Sequence, residues 1–268
     1  MVAVLSALLM VGCNAHLVEP IQGSKEITFR VYEQEAMTRA ALADACSSLN
    51  YYRYVGGELV KSVSQNISDA NFGTISDNME YGTHELFFIG HKSDNVTFNN
   101  GIATFDKVGD TFSYYEYVEV DAETSPTKSI SMPRRVAKFE LVATDALPEY
   151  LSTVEVVVIG GSTSLNVSTG NGAGVSTQTK IINVPSSNIG KKGCSFGTYV
   201  FLPEGITEVN MTYTFKDENG NGVVEIELED VPMQTNYITR CSGNVFSEDF
   251  VGTISAQSEW AGENDFTF

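Results

Sequence analysis

The most reactive group near the start of the sequence is the thiol of Cys13, which follows a short apolar segment. Residues 2–12 are apolar or small and carry no charge. A run of roughly ten residues is about half of what a helix needs to cross the hydrocarbon layer of a membrane. It has the length of the apolar part of a secretion signal, which is removed on maturation. The Cys13 thiol could form a thioether to a lipid, and the amine freed by cleavage could accept an acyl chain. The sequence therefore predicts a signal segment over residues 1–12 and lipid attachment at Cys13.

The residues before this cysteine, Met10-Val11-Gly12, resemble the lipobox of bacterial lipoproteins. Such leaders usually begin with basic residues, whereas Met1–Leu9 contains no Lys or Arg. The alternative interpretation is an apolar N-terminus with a buried cysteine. The length of the run, the small Gly12 and the position of the cysteine favour the lipobox. Two or three lipid chains would hold the protein on a membrane, because a single chain gives only marginal attachment.

Composition limits the classes of function. The chain has 268 residues, is 42% hydrophobic and carries a net charge of -18, so it is a folded and strongly acidic protein. An acidic surface repels phosphate backbones, and we therefore expect no nucleic-acid partner. The lipid would hold the protein at the membrane while its acidic body stands off anionic head groups.

Residue patterns for catalysis or metal binding are weak. His16, His84 and His91 show no metal-ligand spacing, and His84 and His91 would lie on opposite faces of one strand. Gly170–Gly174 is rich in glycine but lacks the Lys-Ser/Thr of a phosphate loop. We predict no catalytic residue, no metal and no cofactor. A pair of carboxylates brought together from distant strands stays open as an alternative.

One segment, Asp217–Gly222, fits the first half of a calcium loop, with oxygen ligands at positions one, three and five and glycine at six. The twelfth position should supply a bidentate glutamate but is Leu228. The flanking residues alternate with the period of strands, and Asn-Gly between such strands is a strong hairpin signal. A β-hairpin is therefore favoured over a calcium site. The nearby carboxylates of Glu225, Glu227 and Glu229 are expected on the solvated face of a strand.

The remaining cysteines, Cys46, Cys194 and Cys241, form an odd set without close spacing, which excludes a metal knuckle or a disulfide scaffold. Isolated thiols are favoured, and a Cys194–Cys241 bridge is the alternative.

The hydrophobic pattern is that of an all-β protein with one short helix. Leu42, Ala45, Cys46 and Leu49 share one helical face, with Thr38 a candidate N-cap. Most other segments alternate with period two, and turn signals recur about every ten residues, as in sandwiches. The predicted strands are 27–32, 51–55, 59–63, 85–89, 101–105, 112–120, 136–143, 154–159, 198–202, 209–215, 223–228 and 237–242.

These elements divide the chain into a tether and two β-sandwich domains. Residues 13–25 are expected to form a lipidated tether, 26–132 an N-terminal β-sandwich domain and 133–268 a C-terminal one. We expect loops at 124–128 and over the Gly/Ser/Thr/Asn-rich segment Gly160–Gly174. Phe250–Trp260 alternates like a strand and should pair either with its own sheet or with another subunit.

Several motifs occur in an order that resembles one family, the fimbrillin-A-associated anchor family of lipoprotein subunits in type V fimbriae. In this sequence the matching segments are Phe29-Arg30-Val31 leading to Thr38-Arg39-Ala40, Ala45–Tyr51, Arg134–Leu141, Asp145–Glu149, Val231–Thr239 with Gly243 and Phe246, and the ending Trp260–Phe268. The resemblance implies an all-β fold of two tandem transthyretin-like β-sandwich domains with minor short helices. It also implies a non-catalytic, lipid-anchored subunit that attaches a fimbria to the outer membrane and faces the cell surface.

The same resemblance implies a partner, a fimbrial stalk subunit joined by β-strand complementation, in which an extended segment satisfies the unpaired backbone of a groove. An anchor would keep its first strand, Ile27–Tyr32. Proteolytic processing at Arg39 would expel that strand and produce a polymerising stalk subunit, which is the first alternative. A tip subunit or adhesin that binds a host protein or glycan through loops such as Gly160–Gly174 is the second, and a surface glycan-binding lipoprotein is the third.

Overall fold

The computed structural model describes residues 23–33, 39–246, 252–257 and 266–267, and the regular secondary structure of this part of the chain is almost entirely β-strand. It contains one α-helix, α1 (Arg39–Ala45), and a 3-10 turn at Ser186–Asn188. The strands are β1 (Ser24–Glu33), β2 (Ser48–Val55), β3 (Glu58–Asn66), β4 (Thr74–Glu80), β5 (Gly82–His91), β6 (Val96–Asn99), β7 (Ile102–Phe105), β8 (Thr111–Val120), β9 (Thr127–Met132), β10 (Ala137–Ala143), β11 (Leu151–Ile159), β12 (Ser164–Asn166), β13 (Gln178–Asn183), β14 (Cys194–Val200), β15 (Glu208–Asp217), β16 (Gly222–Pro232), β17 (Ile238–Gly243), β18 (Gly252–Gln257) and β19 (Phe266–Thr267).

The first sandwich packs the sheet β4-β1-β9 against the sheet β3-β2-β5-β8. Alternate residues of the facing strands point inward, so that Phe29, Tyr51 and Phe88 meet in the centre, each at most 1% exposed. Their ring centroids lie 4.9–5.6 Å apart. Leu42 of α1 closes this core at one end.

The second sandwich packs β14-β10-β17-β18-β19 against β13-β11-β15-β16. Its core includes the fully buried Phe139, Tyr213 and Phe215. The parallel pairing of β10 with β17 and the antiparallel pairing of β10 with β14 repeat the way in which β1 pairs with β9 and β4. The all-β, two-sandwich fold class is therefore present.

A small sheet, β12-β7-β6, joins the two sandwiches. Strand β12 comes from the second half and pairs with β7 from the first. Beneath it, Phe105 and Phe201 are in ring contact at 5.0 Å, and Leu165 is fully buried. We call this sheet and its core the joint. Because strands from both halves share one set of backbone hydrogen bonds, the joint couples the sandwiches directly.

The segment between β9 and β10 is fastened to the first sandwich. Arg134 donates to the carboxylate of Asp110 through Nε at 2.7 Å and Nη2 at 3.2 Å, and its guanidinium lies 4.6 Å from the ring centre of Phe112. Arg135 donates to the Ser113 hydroxyl at 3.1 Å and to the Ser113 carbonyl at 3.3 Å. The crossing between sandwiches is therefore pinned by two buried or half-buried guanidinium groups.

Three expectations about secondary structure are wrong. Gly160–Gly174 is not all loop, since β12 lies within it and Leu165 and Val167 are buried. Residues 127–128 belong to β9, which is stabilised by its parallel pairing with β1. Leu49 lies in β2 and not on the helix, although it does pack in the same core as Leu42.

Candidate functional site

The first strand, β1, is the central strand of its sheet. It pairs antiparallel with β4 over Ser24–Arg30 and parallel with β9 over Thr28–Glu33. Ile27, Phe29 and Val31 point into the core and are 3%, 1% and 1% exposed. Without β1, the facing edges of β4 and β9 would lose their hydrogen bonds and the aromatic core would be open along its length. In this structure that groove is filled by the chain's own strand.

The predicted processing residue Arg39 is the first residue of α1, so a cut after it would separate β1 from the rest of the chain. Residues 34–38, which include the candidate N-cap Thr38, and the predicted lipid-attachment residue Cys13 lie outside the described residues. Description of the chain begins at Gly23, whose carbonyl accepts the Tyr81 amide at 2.9 Å. The last two residues of the predicted tether 13–25, Ser24 and Lys25, are the first two residues of β1.

The last part of the chain forms a strand on its own sheet. Strand β18 pairs antiparallel with β17 from Gly243↔Gly252 to Ile238↔Gln257, and β19 pairs with β18 at Ser255 and Ala256. Of the predicted segment Phe250–Trp260, residues 252–257 are described. They pair within the chain and not with another subunit, so in this conformation β18 is not a free donor strand.

Sheet edges differ in how well they are protected against pairing. The edge strand β16 is interrupted by two bulges in its pairing with β15, and its exposed face carries Glu225, Glu227 and Glu229, as predicted. Charges and bulges of this kind discourage the addition of a further strand. The edge strand β3 has one bulge, at Val60, and exposes the apolar side chains of Leu59 and Val60, 50% and 48%. This apolar pair makes β3 one edge to which a further strand could be added.

His84 belongs to a buried polar cluster inside the first sandwich. Asp77 accepts hydrogen bonds from Arg53 Nε at 2.8 Å and from the Tyr51 hydroxyl at 3.0 Å. A second Arg53 nitrogen donates to His84 Nδ1 at 3.3 Å, which leaves Nε2 to donate to the Glu80 carbonyl at 2.7 Å. Burial and the Asp77 carboxylate raise the pKa of Tyr51. The cluster satisfies its own buried charges and is closed to substrate.

His91 lies at the other end of β5 and is 3% exposed. Asn50 Nδ2 donates to its Nε2 at 3.0 Å, because the Asn50 oxygen already accepts from Ser64, and Nδ1 faces the Ser93 carbonyl at 3.1 Å. Burial lowers the pKa of His91. A proton on Nε2 would face an amide donor, so the neutral ring is the form that fits.

The hairpin interpretation of Asp217–Gly222 is confirmed, since β15 and β16 are antiparallel neighbours on either side of it. One Asp217 oxygen accepts the amides of Asn219 and Asn221, each at 2.9 Å, and the other accepts the Asn221 side chain at 3.0 Å. These hydrogen bonds lower the pKa of Asp217. No group of three or more His, Cys, Asp or Glu side chains in the described residues could hold a metal ion.

Cys46, Cys194 and Cys241 are free thiols, as favoured from the sequence. Cys194 starts β14 and Cys241 lies in β17, on opposite sides of β10, opposite Ala143 and Leu141 respectively. Two strand spacings of about 4.8 Å separate their backbones, which is beyond the reach of a disulfide.

The segment Gly160–Gly174, expected to be a loop and, in the adhesin alternative, to bind a ligand, is largely packed inside the molecule. Besides β12, its backbone is held by Gly172, whose amide donates to the Leu202 carbonyl at 2.8 Å. Gly170 lies against the guanidinium of Arg135, where an added Cβ would be 2.4 Å from Nη1. Most of the segment forms the joint, while Ser168 and Thr169 stay exposed.

Comparison with known proteins places the chain in a family. The sequence profile of DUF6562 matches residues 68–267. The chain belongs to DUF6562, a family of unknown function. The match begins within the first sandwich, after β1, α1, β2 and β3, and it does not by itself carry the fimbrial-anchor assignment. No curated protein matches the sequence.

Solved structures share the fold of this DUF6562 protein at low sequence identity. A candidate polysaccharide-binding protein (DUF1812) from Bacteroides thetaiotaomicron has a TM-score of 0.54 and 10% identity, covering 90% of this chain and 98% of that chain. Two candidate adhesins from Bacteroides ovatus each have a TM-score of 0.51, with 12% and 11% identity, covering 82% and 91% of this chain and 88% and 95% of theirs. At such identities the likeness establishes the fold alone.

Within the described part of this DUF6562 chain, no helix combines the length and apolar character required to span a membrane.

Proposed function

We propose that this protein is a non-catalytic, lipid-anchored fimbrial subunit of the outer membrane, held by a lipid on Cys13 and facing the cell surface. Three features support the proposal: the lipobox-like residues Met10–Cys13, the order of fimbrial-anchor motifs along the sequence, and the two-sandwich fold shared with candidate adhesins. Its role is to attach a fimbria to the membrane.

The observation that carries the anchor role is the position of β1. It is the central strand of its sheet, with Phe29 and Val31 each 1% exposed, and it contains the last two residues of the predicted tether. If the mature protein retains this strand, its own groove stays filled and it ends the strand-exchange series, whereas a stalk subunit would keep the strand only until cleavage after Arg39. A base subunit requires that property, because it must stop polymerisation toward the membrane.

The arrangement of the C-terminal tail agrees with the same role. A stalk subunit would offer a terminal strand to its neighbour, whereas β18 here pairs with β17 of its own sheet. The partner, a fimbrial stalk subunit, would then supply the extended segment, and the exposed apolar pair on β3 offers one edge that could receive it. A charge placed on that edge by Val60→Lys should reduce binding of the stalk subunit, while Glu227→Lys on the protected edge β16 should not.

The anchor role is tested by labelling cells with radioactive palmitate and comparing the wild type with Cys13→Ala. We expect the label to be lost from the variant and fimbriae to be released into the medium, so that counts on the cell surface fall. If the lipid is lost while fimbriae stay attached to the cells, the protein is not the anchor.

The alternative of a polymerising stalk subunit depends on cleavage after Arg39, at the start of α1. An Arg39→Ala variant separates the two roles. For an anchor, fimbriae should form and attach as in the wild type. For a stalk subunit, the variant would keep β1 and fail to polymerise.

A further inference from the structure

A shallow cavity of about 370 Å³ opens on the outer face of the sheet β3-β2-β5-β8, beside the joint. Its aromatic lining consists of the half-buried Tyr115 and of Tyr54 and Phe87, which are buried beneath the floor at 7% and 4% exposure. The polar lining is the carboxylate of Glu85, the amide of Asn100 in the β6–β7 turn, and the hydroxyl of Ser168, together with the backbone of Gly57 and Gly101. Ser168 comes from the second half of the chain, so the cavity is complete only when the sandwiches are joined.

Strand register brings these side chains onto one surface. Glu85 is directly opposite Tyr54 on one neighbouring strand and Tyr117 on the other. One row along, Phe87 is opposite Tyr115, with ring centroids 4.9 Å apart. Directly paired residues lie on the same face of a sheet. Tyr117, which is 64% exposed, therefore extends the aromatic surface beyond the cavity.

The polar groups of the cavity retain hydrogen-bonding capacity. One oxygen of Glu85 accepts the Tyr115 hydroxyl at 3.3 Å, and no other hydrogen bond reaches this carboxylate from the described residues. The side-chain amide of Asn100 has no hydrogen bond within the same part of the chain. Ser168 donates to the Asn166 oxygen at 2.7 Å, which leaves its own oxygen free to accept. The cavity thus presents two acceptors and one amide that both donates and accepts.

We propose that this cavity is a binding site for a neutral sugar unit of an oligosaccharide. Ligand sites combine an apolar, aromatic lining with a few convergent polar groups, and their volumes start at about 300 Å³. A sugar ring has C–H faces that pack on aromatic rings and hydroxyl groups that both donate and accept. The half-buried ring of Tyr115 and the exposed ring of Tyr117 match the first property, and Glu85 and Asn100 match the second.

The lining also argues against other ligands. It contains no basic residue, so an anion would meet only the Glu85 carboxylate. A cation could bind over the aromatic rings beside Glu85, but it would give the Ser168 hydroxyl oxygen and the Asn100 amide N–H no hydrogen-bond partners. A neutral oligosaccharide uses every group, with one unit in the cavity and the next against Tyr117. This inference goes beyond the anchor role and does not depend on it.

The test uses the purified full chain in detergent on a panel of immobilised neutral oligosaccharides built from glucose, galactose, mannose and N-acetylglucosamine. Dissociation constants are then measured for the glycans that bind. Glu85→Gln keeps the shape of the carboxylate without its charge, and Asn100→Gly suits the positive φ of 45° at that turn. We expect each to weaken binding at least about tenfold. Tyr117→Ala, at an exposed position that should not affect folding, should weaken tetrasaccharide binding about two- to tenfold.

The matched control is Tyr150→Ala, a tyrosine that is 51% exposed outside this cavity, and it should bind as the wild type does. Melting curves of all variants verify that they are folded. The proposal is overturned if no glycan of the panel binds, or if binding is unchanged in Glu85→Gln, Asn100→Gly and Tyr117→Ala alike. It is also overturned if choline binds in a salt-sensitive manner while the sugars do not, since that result would make the cavity a cation site.

Discussion

Replacing one glycine of the joint by alanine should destabilise the protein far more than the same replacement a few residues away. Gly170 has a φ of 79°, and a Cβ there would lie 2.4 Å from Nη1 and 2.7 Å from Cζ of Arg135. Gly174 has a φ of 82°, and a Cβ there would meet nothing within 4 Å. The two positions therefore share the cost of a left-handed alanine and differ in the contact with Arg135.

The expected magnitudes follow from these contacts. A left-handed conformation costs a residue with a Cβ roughly 1–2 kcal/mol, which is the whole effect expected for Gly174→Ala. Gly170→Ala must also displace a half-buried guanidinium that donates two hydrogen bonds to Ser113. Hydrogen bonds that involve a charged group contribute about 1.5–3 kcal/mol each. Allowing for partial relaxation, we expect Gly170→Ala to cost about 3–5 kcal/mol in total.

Urea denaturation followed by far-UV circular dichroism gives both free energies of unfolding by linear extrapolation. A double-mutant cycle is completed by making both glycine replacements in an Arg135→Ala background. There the space for the new methyl group is open, so the two replacements should lower the free energy of unfolding equally. Equal costs in the wild-type background would refute the reasoning. So would an excess for Gly170→Ala that persists after Arg135 has been removed.

Three further outcomes are expected. Burial lowers the pKa of His91 below its unfolded value, so the unfolded chain binds more protons as the pH falls below about 6.5, and the protein should become less stable there. The urea midpoints at pH 7.5 and pH 5.5 should therefore differ less in His91→Gln than in the wild type. An unchanged difference would argue against His91 as the origin. Phe29→Ala should lower the free energy of unfolding by about 3–5 kcal/mol, whereas Arg30→Ala on the exposed face of β1 should change it little, as measured by urea denaturation. Similar losses in the two variants would mean that the buried face of β1 does not hold the strand in place. In Cys13→Ala protein, a thiol reagent should modify Cys194 in the native state, and the buried Cys46 and Cys241 only after denaturation. Rapid reaction of all three thiols in the native protein would contradict the packing around the two buried ones.

The strands that the sequence predicts well are those with an apolar inward face. β1 and β8 alternate visibly, and the Gly56-Gly57 turn identifies the hairpin of β2 and β3 because both glycines have positive φ, 58° and 85°. The hairpin at Asp217–Gly222 is recognisable for the same reason, since its turn residues and its flanking alternation agree.

The strands that the sequence misses have polar residues at inward positions. In β4 the inward series is Ile75, Asp77 and Met79, and the buried carboxylate hides the period. In β13 the position packed against Thr198 is Gln178, whose amide donates to the Thr198 hydroxyl and the Tyr199 carbonyl. Partners about 20 or more residues away bind the Asp77 carboxylate and the Gln178 Nε2, while Gln178 Oε1 has no hydrogen-bond partner among the described residues. No local pattern contains that information.

The candidate sites also differ in whether the residues that define them are close together in the sequence. Lipid attachment at Cys13 is predicted from the neighbouring residues alone, because the signal is local, and it stays a prediction. The sugar cavity depends on the pairing of β2, β5 and β8, on the β6–β7 turn and on Ser168 from the second half. Tyr54, Glu85 and Tyr115 carry no distinguishing spacing, so only the strand register shows that they meet.

The central claim is that the mature protein keeps its first strand and carries lipid at its N-terminus. Mass spectrometry of the protein from outer-membrane fractions, after digestion with a protease that does not cut at arginine, tests both parts at once. We expect peptides that begin at a lipid-modified Cys13 and continue without a break through Arg39. An unmodified Cys13, or a mature chain that begins at Ala40, would contradict the account.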